Sequence, residues 1–153
     1  MTTAPRIVPL RWWHIDALLT IEDEQFGTES WSAAMFWSEL AAGHYYRVAV
    51  DDDLVLGYAG EAFADHEAWI NNIAVRGDAQ RRGVGAALLR DLIAEADRRH
   101  ARRICLEVAT DNTPAQRMYD AYGFEGIGIR RGYYQPSNTD ALVMMRTLDN
   151  EHD

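Results

Sequence analysis

The chain has 153 residues, of which 48% are hydrophobic and 25% charged, which suits one α/β domain whose core needs no disulfide or metal staple. Fifteen arginines and no lysine stand against 24 acids, a formal net charge of −9, so a general nucleic-acid binder with a broad basic footprint is excluded. The charge is uneven: residues 76–103 hold 8 Arg and 4 acids, residues 1–75 hold 3 and 12, and residues 104–153 hold 4 and 8.

Cys105 is the single cysteine, which excludes an intramolecular disulfide and a cysteine-rich metal site. The five histidines lack HxxxH or HExxH spacing, so no metal is expected. No apolar run approaches the ~20 residues of a spanning helix. The start, MTTAPRIVPLRWWHIDALL, lacks the apolar centre of a signal peptide. A cytoplasmic protein without a membrane partner is the expectation.

In chain order, Arg6–Arg11 alternates as a short strand. His14–Phe26 carries Ile15, Leu18, Leu19 and Glu22 at helical spacing. Ser30 or Ser32 caps a second helix through Phe36, Trp37 and Leu40, which Gly43 ends. Tyr45–Val50 is a strand, 51–53 an acidic turn, and Leu54–Phe63 and Glu67–Val75 complete a meander. After a polar loop, Arg76–Arg82, a long amphipathic helix spans Gly83–His100 with Val84, Ala87, Leu88, Leu92 and Ala96 on one face. Arg102–Val108 reads as a buried strand, Asn112–Tyr122 as a short helix ended by Gly123, and Phe124–Arg131 and Ala141–Arg146 as closing strands. The order β-α-α-β-β-β-α-β-α-β-β describes a mixed α/β domain, with a right-handed strand–helix–strand crossover. Residues 1–148 form that domain, and DNEHD (149–153) is a polar tail that is expected to fray.

The segment QRRGVGAALLRDL sits between a predicted strand and a long helix. Gly83 and Gly85 allow close backbone approach. The first N–H groups of the helix have no intrahelical partner, and its dipole is positive there. With Arg81 and Arg82 they form an anion site suited to a pyrophosphate. The other reading is an Arg-rich loop whose glycines serve only the turn. No GK[S/T] follows, and residue 88 is Leu where a GxGxxG loop needs Gly.

That segment resembles the Q/R-x-x-G-x-G/A acetyl-CoA signature of the GNAT superfamily of N-acetyltransferases. LEVATDNTPAQRMYDAYGF and GIRRGYYQPSNTDALVMM resemble the RimI family within it, and PLRWWHIDALLTIEDEQF and SWSAAMFWSELA resemble its actinobacterial members. The resemblance covers nearly the whole chain. It implies a GNAT fold, α/β (α+β), with a mixed, mostly antiparallel central sheet of about seven strands flanked by about four helices. It also implies acetyl transfer from acetyl-CoA to the N-terminal alanine of a small-subunit ribosomal protein, by direct attack in a ternary complex. A GNAT enzyme acting on another protein N-terminus, a lysine or a small amine, or a non-catalytic acyl-CoA-binding module, are the alternatives. The expected partner is an N-terminal peptide, and the expected state a monomer or weak dimer.

Transfer needs a base for the amine, donors for the developing oxyanion, a proton for the leaving thiolate and alignment of both substrates. Glu107 stands in an otherwise apolar strand, ICLEV, where an unpaired charge is costly. A strand-end Glu paired with an Arg is the plain reading, and the resemblance implies a proton acceptor, directly or through water. Tyr119 reads as an aromatic packed on the sheet, and the resemblance implies the acid that protonates the thiolate. Asn112 reads as a helix cap, and the resemblance adds an acetyl-CoA contact. By the same resemblance the backbone of Ile73, Ala74 and Val75 pairs with the pantetheine. Arg81, Arg82, Gly83, Val84, Gly85 and Ala86 hold the pyrophosphate, and Tyr133 and Tyr134, in an RRGYYQP loop, meet the peptide. Trp31, Trp37 and Trp69 are expected in the core, with Cys105 a small buried hydrophobe. Ala109 stands where the family usually carries Arg, which removes a charge near Glu107.

Overall fold

The computed structural model describes residues 5–148, so the tail at 149–153 lies outside the described residues. Among the described residues seven strands and four α-helices follow in the expected order. The strands are hydrogen-bonded in the order β1-β2-β3-β4-β5-β7-β6. The chain divides into two compact units. Unit 1 runs through Ala62 and takes in Asn72–Leu92; unit 2 holds Phe63–Asn71 and the chain from Ile93 onward.

In unit 1, β1 (Arg6–Pro9) lies antiparallel to β2 (Tyr45–Asp51), and β2 antiparallel to β3 (Leu54–Ala64), with an irregularity between Ala49 and Val50. Helix α1 (Ile15–Phe26) buries Ile15, Leu18 and Ile21, the spacing that its sequence shows. They join Phe36, Tyr46, Val48, Tyr58 and Ala74 in one core cluster. Each fully buried side chain of this size contributes roughly 1.5–3 kcal/mol. Helix α2 (Ala33–Ala42) starts at Ser32, whose Oγ accepts from the Met35 N–H at 3.3 Å. It ends at Gly43, whose φ of +74° is the left-handed cap that glycine adopts freely.

Trp37 corrects one expectation. It is 51% exposed rather than in the core, because α2 turns Phe36 inward instead. Trp31 is half-buried against the core, its ring 5.3 Å from that of Phe36.

Unit 2 begins with the first half of β4 (Glu67–Val75), which runs parallel to β5 (Arg103–Ala109) from Glu67 opposite Arg103 to Ile70 opposite Leu106. Trp69 is half-buried, its indole N–H donating to Glu67 Oε1 at 3.0 Å. Strand β5 pairs antiparallel with β7 (Thr139–Thr147), and β7 with β6 (Glu125–Tyr134). Helix α3 (Val84–Arg98) joins β4 to β5, so α3 supplies the crossover that a parallel pair needs. Helix α4 (Thr113–Ala121) follows β5. Ile104, Leu106, Phe124 and Ala141 are nearly or fully buried here. Cys105 is buried as expected.

The last strands correct a second expectation. Tyr133 and Tyr134 lie within β6, not in a loop. The strand continues past a register shift between Arg130 and Tyr134, and Tyr134 pairs with Thr139. Gly132 takes a φ of +61° at that shift and gives its N–H to Asp140 Oδ1 at 2.8 Å.

Candidate active site

Unit 1 carries the expected cofactor residues of β4 and the glycine loop. Ala74 is buried, with Ile73 and Val75 half-buried on either side. Val75 O accepts from Gln80 Nε2 at 3.3 Å, which ties the strand end to the following loop. Arg81 adopts a φ of +68° and Gly83 one of +80°. These reversals turn the chain into α3, where the Ala87 N–H donates to Gly83 O at 3.0 Å. The N–H groups of Gly83, Val84, Gly85 and Ala86 therefore lie in the turn that has no intrahelical acceptor. Around Gly83 the space where a Cβ would stand is open, and Arg81 and Arg82 are exposed. Donors, a positive helix end and two cations fit a pyrophosphate.

Unit 2 carries Glu107, Asn112, Tyr119, Tyr133 and Tyr134. The Glu107 side chain is 13% exposed. Its Oε1 lies 3.5 Å from Arg130 Nη1. Its Oε2 is buried and has no protein hydrogen-bond partner among the described residues. Tyr133 feels the same carboxylate: burial pushes its phenol up, and the Glu107 acceptor and charge push it further. The Tyr133 ring also lies 5.7 Å from the Arg130 guanidinium.

Tyr119 is buried in α4, with its ring edge-on to Phe124 at 5.8 Å. Burial alone pushes its phenol well above the ordinary range, so it stays protonated at neutral pH. No hydrogen bond joins it to Glu107 among the described residues. Asn112 caps α4, its Oδ1 accepting from the Ala115 N–H at 3.3 Å. Tyr134 is half-buried at the end of β6.

Unit 2 thus holds a carboxylate with one buried oxygen that has no partner among the described residues, and unit 1 a glycine turn that leads into α3. The family model described as the acetyltransferase (GNAT) family matches residues 10–124. The chain belongs to the GNAT acetyltransferase family. A Bacillus subtilis (strain 168) protein, which carries the provisional name ribosomal protein bS18-alanine N-acetyltransferase, is 33% identical over 151 residues, 97% of this chain and 99% of its own. The N-alpha-acetyltransferase RimI of Mycobacterium tuberculosis (strain ATCC 25618 / H37Rv) is 37% identical over 125 residues, 78% of this chain and 77% of its own. The crystal structure of the ribosomal-protein-S18-alanine N-acetyltransferase from Escherichia coli superposes with a TM-score of 0.85 at 30% identity, covering 97% of this chain and 98% of that one. The acetyltransferase is thus of the RimI type, and its activity is acetyl-CoA-dependent N-acetylation.

Within this GNAT chain, the structure brings Glu107 and Tyr133 together and adds Arg130, a residue that the sequence reading left without a role. The signal was present in the RRGYY run. Strand alternation puts Arg130 on one face and Arg131 on the other, and Arg131 goes instead to Asp140 at 3.9 Å. Among the described residues no helix is long and apolar enough to cross a membrane.

Proposed function

We propose that this acetyltransferase transfers the acetyl group of acetyl-CoA to the N-terminal α-amine of a ribosomal protein, with alanine as the first residue. The domain is taken as residues 1–148, acting in the cytoplasm. The observation that carries this reading is Glu107: a mostly buried carboxylate whose Oε2 has no donor among the described residues. Leaving a buried acceptor unpaired is costly, so an N–H of the substrate, or a water on its way to one, is the natural partner. The relatives named for ribosomal-protein alanine acetylation support the substrate class.

Acetyl-CoA supplies the acyl group as an activated thioester. The Gly83–Ala86 N–H groups with Arg81 and Arg82 bind the pyrophosphate. The strand Ile73–Val75 aligns the pantetheine, and Asn112 lies beside the free N–H groups that begin α4. Glu107 takes the proton that the α-amine loses as its nitrogen bonds to the acetyl carbon. Tyr119, held protonated by burial, gives its proton to the thiolate as the C–S bond breaks. Tyr133 and Tyr134 meet the peptide, and residues 1–75, with 12 acids against 3 Arg, attract a basic one.

Mass spectrometry of ribosomal proteins incubated with enzyme and acetyl-CoA tests the substrate. Acetylation at an N-terminal Ala supports the reading, whereas acetylation only of lysines or small amines overturns it. A peptide that begins with Ala is compared with its pre-acetylated form carrying an internal Lys, and only the first should react. Glu107→Gln and Tyr119→Phe should each lower kcat by about 10²–10⁴-fold with acetyl-CoA affinity retained. Full activity in both would remove the role assignment.

A further inference from the structure

We propose that Arg130 is a positioning residue for Glu107, holding Oε1 of the carboxylate so that Oε2 is left to the substrate amine. This rests on the reading of Glu107 as the base. The two oxygens are not equivalent: Oε1 has the Arg130 guanidinium at 3.5 Å, and Oε2 is buried and unpartnered among the described residues. A carboxylate free to rotate would present either oxygen, and a cation on one side removes that freedom.

The strand register explains how an arginine two strands away reaches it. Glu107 lies opposite Val143 on β7, and Gly128 lies opposite the same Val143 on β6. Arg130 is opposite Ala141, which is in turn opposite Ala109. Alternation places Gly128 and Arg130 on one face of β6, and Glu107 and Ala109 on one face of β5. The guanidinium must therefore cross β7 diagonally. Ala141, fully buried, and Ala109 are both small, and a Cβ at Gly128 would meet nothing within 4 Å. The small residues leave room on the Ala141 side of that diagonal, with Val143 standing beside it on β7.

Charge supply points the same way. No other cation pairs with Glu107 among the described residues, and Ala109, in the same cross-strand row as Arg130, contributes none. Arg130 also lies 5.7 Å from the Tyr133 ring, whose phenol is pushed up by burial and further by Glu107. The three side chains form one cluster around the carboxylate. Arginine suits this role because its planar fork can hold a carboxylate and stack on an aromatic at the same time.

The test is a kinetic cycle of Arg130→Ala and Glu107→Gln with an Ala-initiated peptide. Arg130→Ala is expected to lower kcat about tenfold, with the KM for acetyl-CoA unchanged. Arg130→Lys should recover part of the loss, since it restores the charge without the fork, and added guanidinium should recover part of it in Arg130→Ala. In the Glu107→Gln background, Arg130→Ala should cost nothing further. An equal loss in both backgrounds would mean that Arg130 acts elsewhere, on the peptide for example, and overturns the proposal. Unchanged kcat in Arg130→Ala overturns it too, while a slow Glu107→Gln would leave the base assignment standing. If Glu107→Gln is fully active, the base assignment and the positioning role fall together.

Discussion

The Cβ that Gly57 lacks would stand 2.7 Å from the carbonyl oxygen of Ala74. It would also stand 3.3 Å from the Cα of Val75. Both neighbours are backbone of the strand end proposed to align the pantetheine, so no side chain can swing away to make room. Gly57→Ala is expected to displace that strand end. The overpacking costs about 1–3 kcal/mol, which lowers the melting temperature by roughly 2–4 °C for each kcal/mol. The KM for acetyl-CoA should rise several-fold with it. Steady-state kinetics beside a thermal melt checks both, and a destabilised enzyme with an unchanged acetyl-CoA KM would separate Ala74 from cofactor binding.

Glu22 is a second buried carboxylate, 1% exposed in α1. It accepts from the Tyr58 hydroxyl and, at 2.7 Å, from the Trp31 N–H. Burial pushes its carboxyl up despite both donors, which act in the opposite direction. The folded chain therefore keeps this proton to higher pH than the unfolded chain does. Its contribution to stability is fully present below the ordinary glutamate pKa of about 4.3 and falls as pH rises through the raised value. In Glu22→Gln that titration is gone. The melting temperature of the variant, relative to the parent, should climb between pH 4 and pH 7. A difference that stays flat with pH would contradict the assignment. Tyr58→Phe, which strips one donor from a buried acceptor, should cost about 1–3 kcal/mol.

Much of this architecture is written locally. Ser32, Gly43 and Asn112 announce helix ends because a cap is an interaction within three or four residues. The strand Glu67–Val75 is legible because its residues and the turn before it are contiguous. Trp37 is not, because α2 is apolar on nearly every side, and helical spacing alone could not choose between its faces. The end of β6 is hidden by Gly132, whose positive φ and bond to Asp140 carry the strand across a register shift. Glu107 could be picked out as a charge inside an apolar run. Its partner Arg130 could not, because they meet only through the non-sequential order β5-β7-β6.

Glu95 titrates with the opposite sign to Glu22. Its side chain is 10% exposed near the end of α3, with Arg98 Nε at 2.8 Å from Oε1 and Arg99 Nε at 2.7 Å from Oε2. The hydrogen bonds from Arg98, helped by Arg99, pull its carboxyl down to about 2 against the effect of burial. A lowered value means that stability is present above the ordinary pKa of about 4.3 and is lost as pH falls from there toward 2. Glu95→Gln should melt below the parent at pH 7, with the gap closing as pH falls through that window. Melts from pH 7 to pH 2 measure this, and a gap that does not narrow would place the effect in packing rather than charge.

Asn112 allows two roles to be pulled apart. As a cap it accepts from the Ala115 N–H at 3.3 Å and begins the helix that carries Tyr119. Asn112→Ala should therefore cost about 1 kcal/mol, or roughly 2–4 °C in melting temperature. Asn112→Asp preserves the cap, since its carboxylate accepts from the same N–H and favours the positive end of the helix. The same negative charge would repel an anionic cofactor. If the side chain also meets acetyl-CoA, Asn112→Asp should melt with the parent yet bind acetyl-CoA several-fold more weakly. Titration calorimetry with CoA, set beside the melts, decides it: normal affinity in Asn112→Asp would leave capping as the whole of its function.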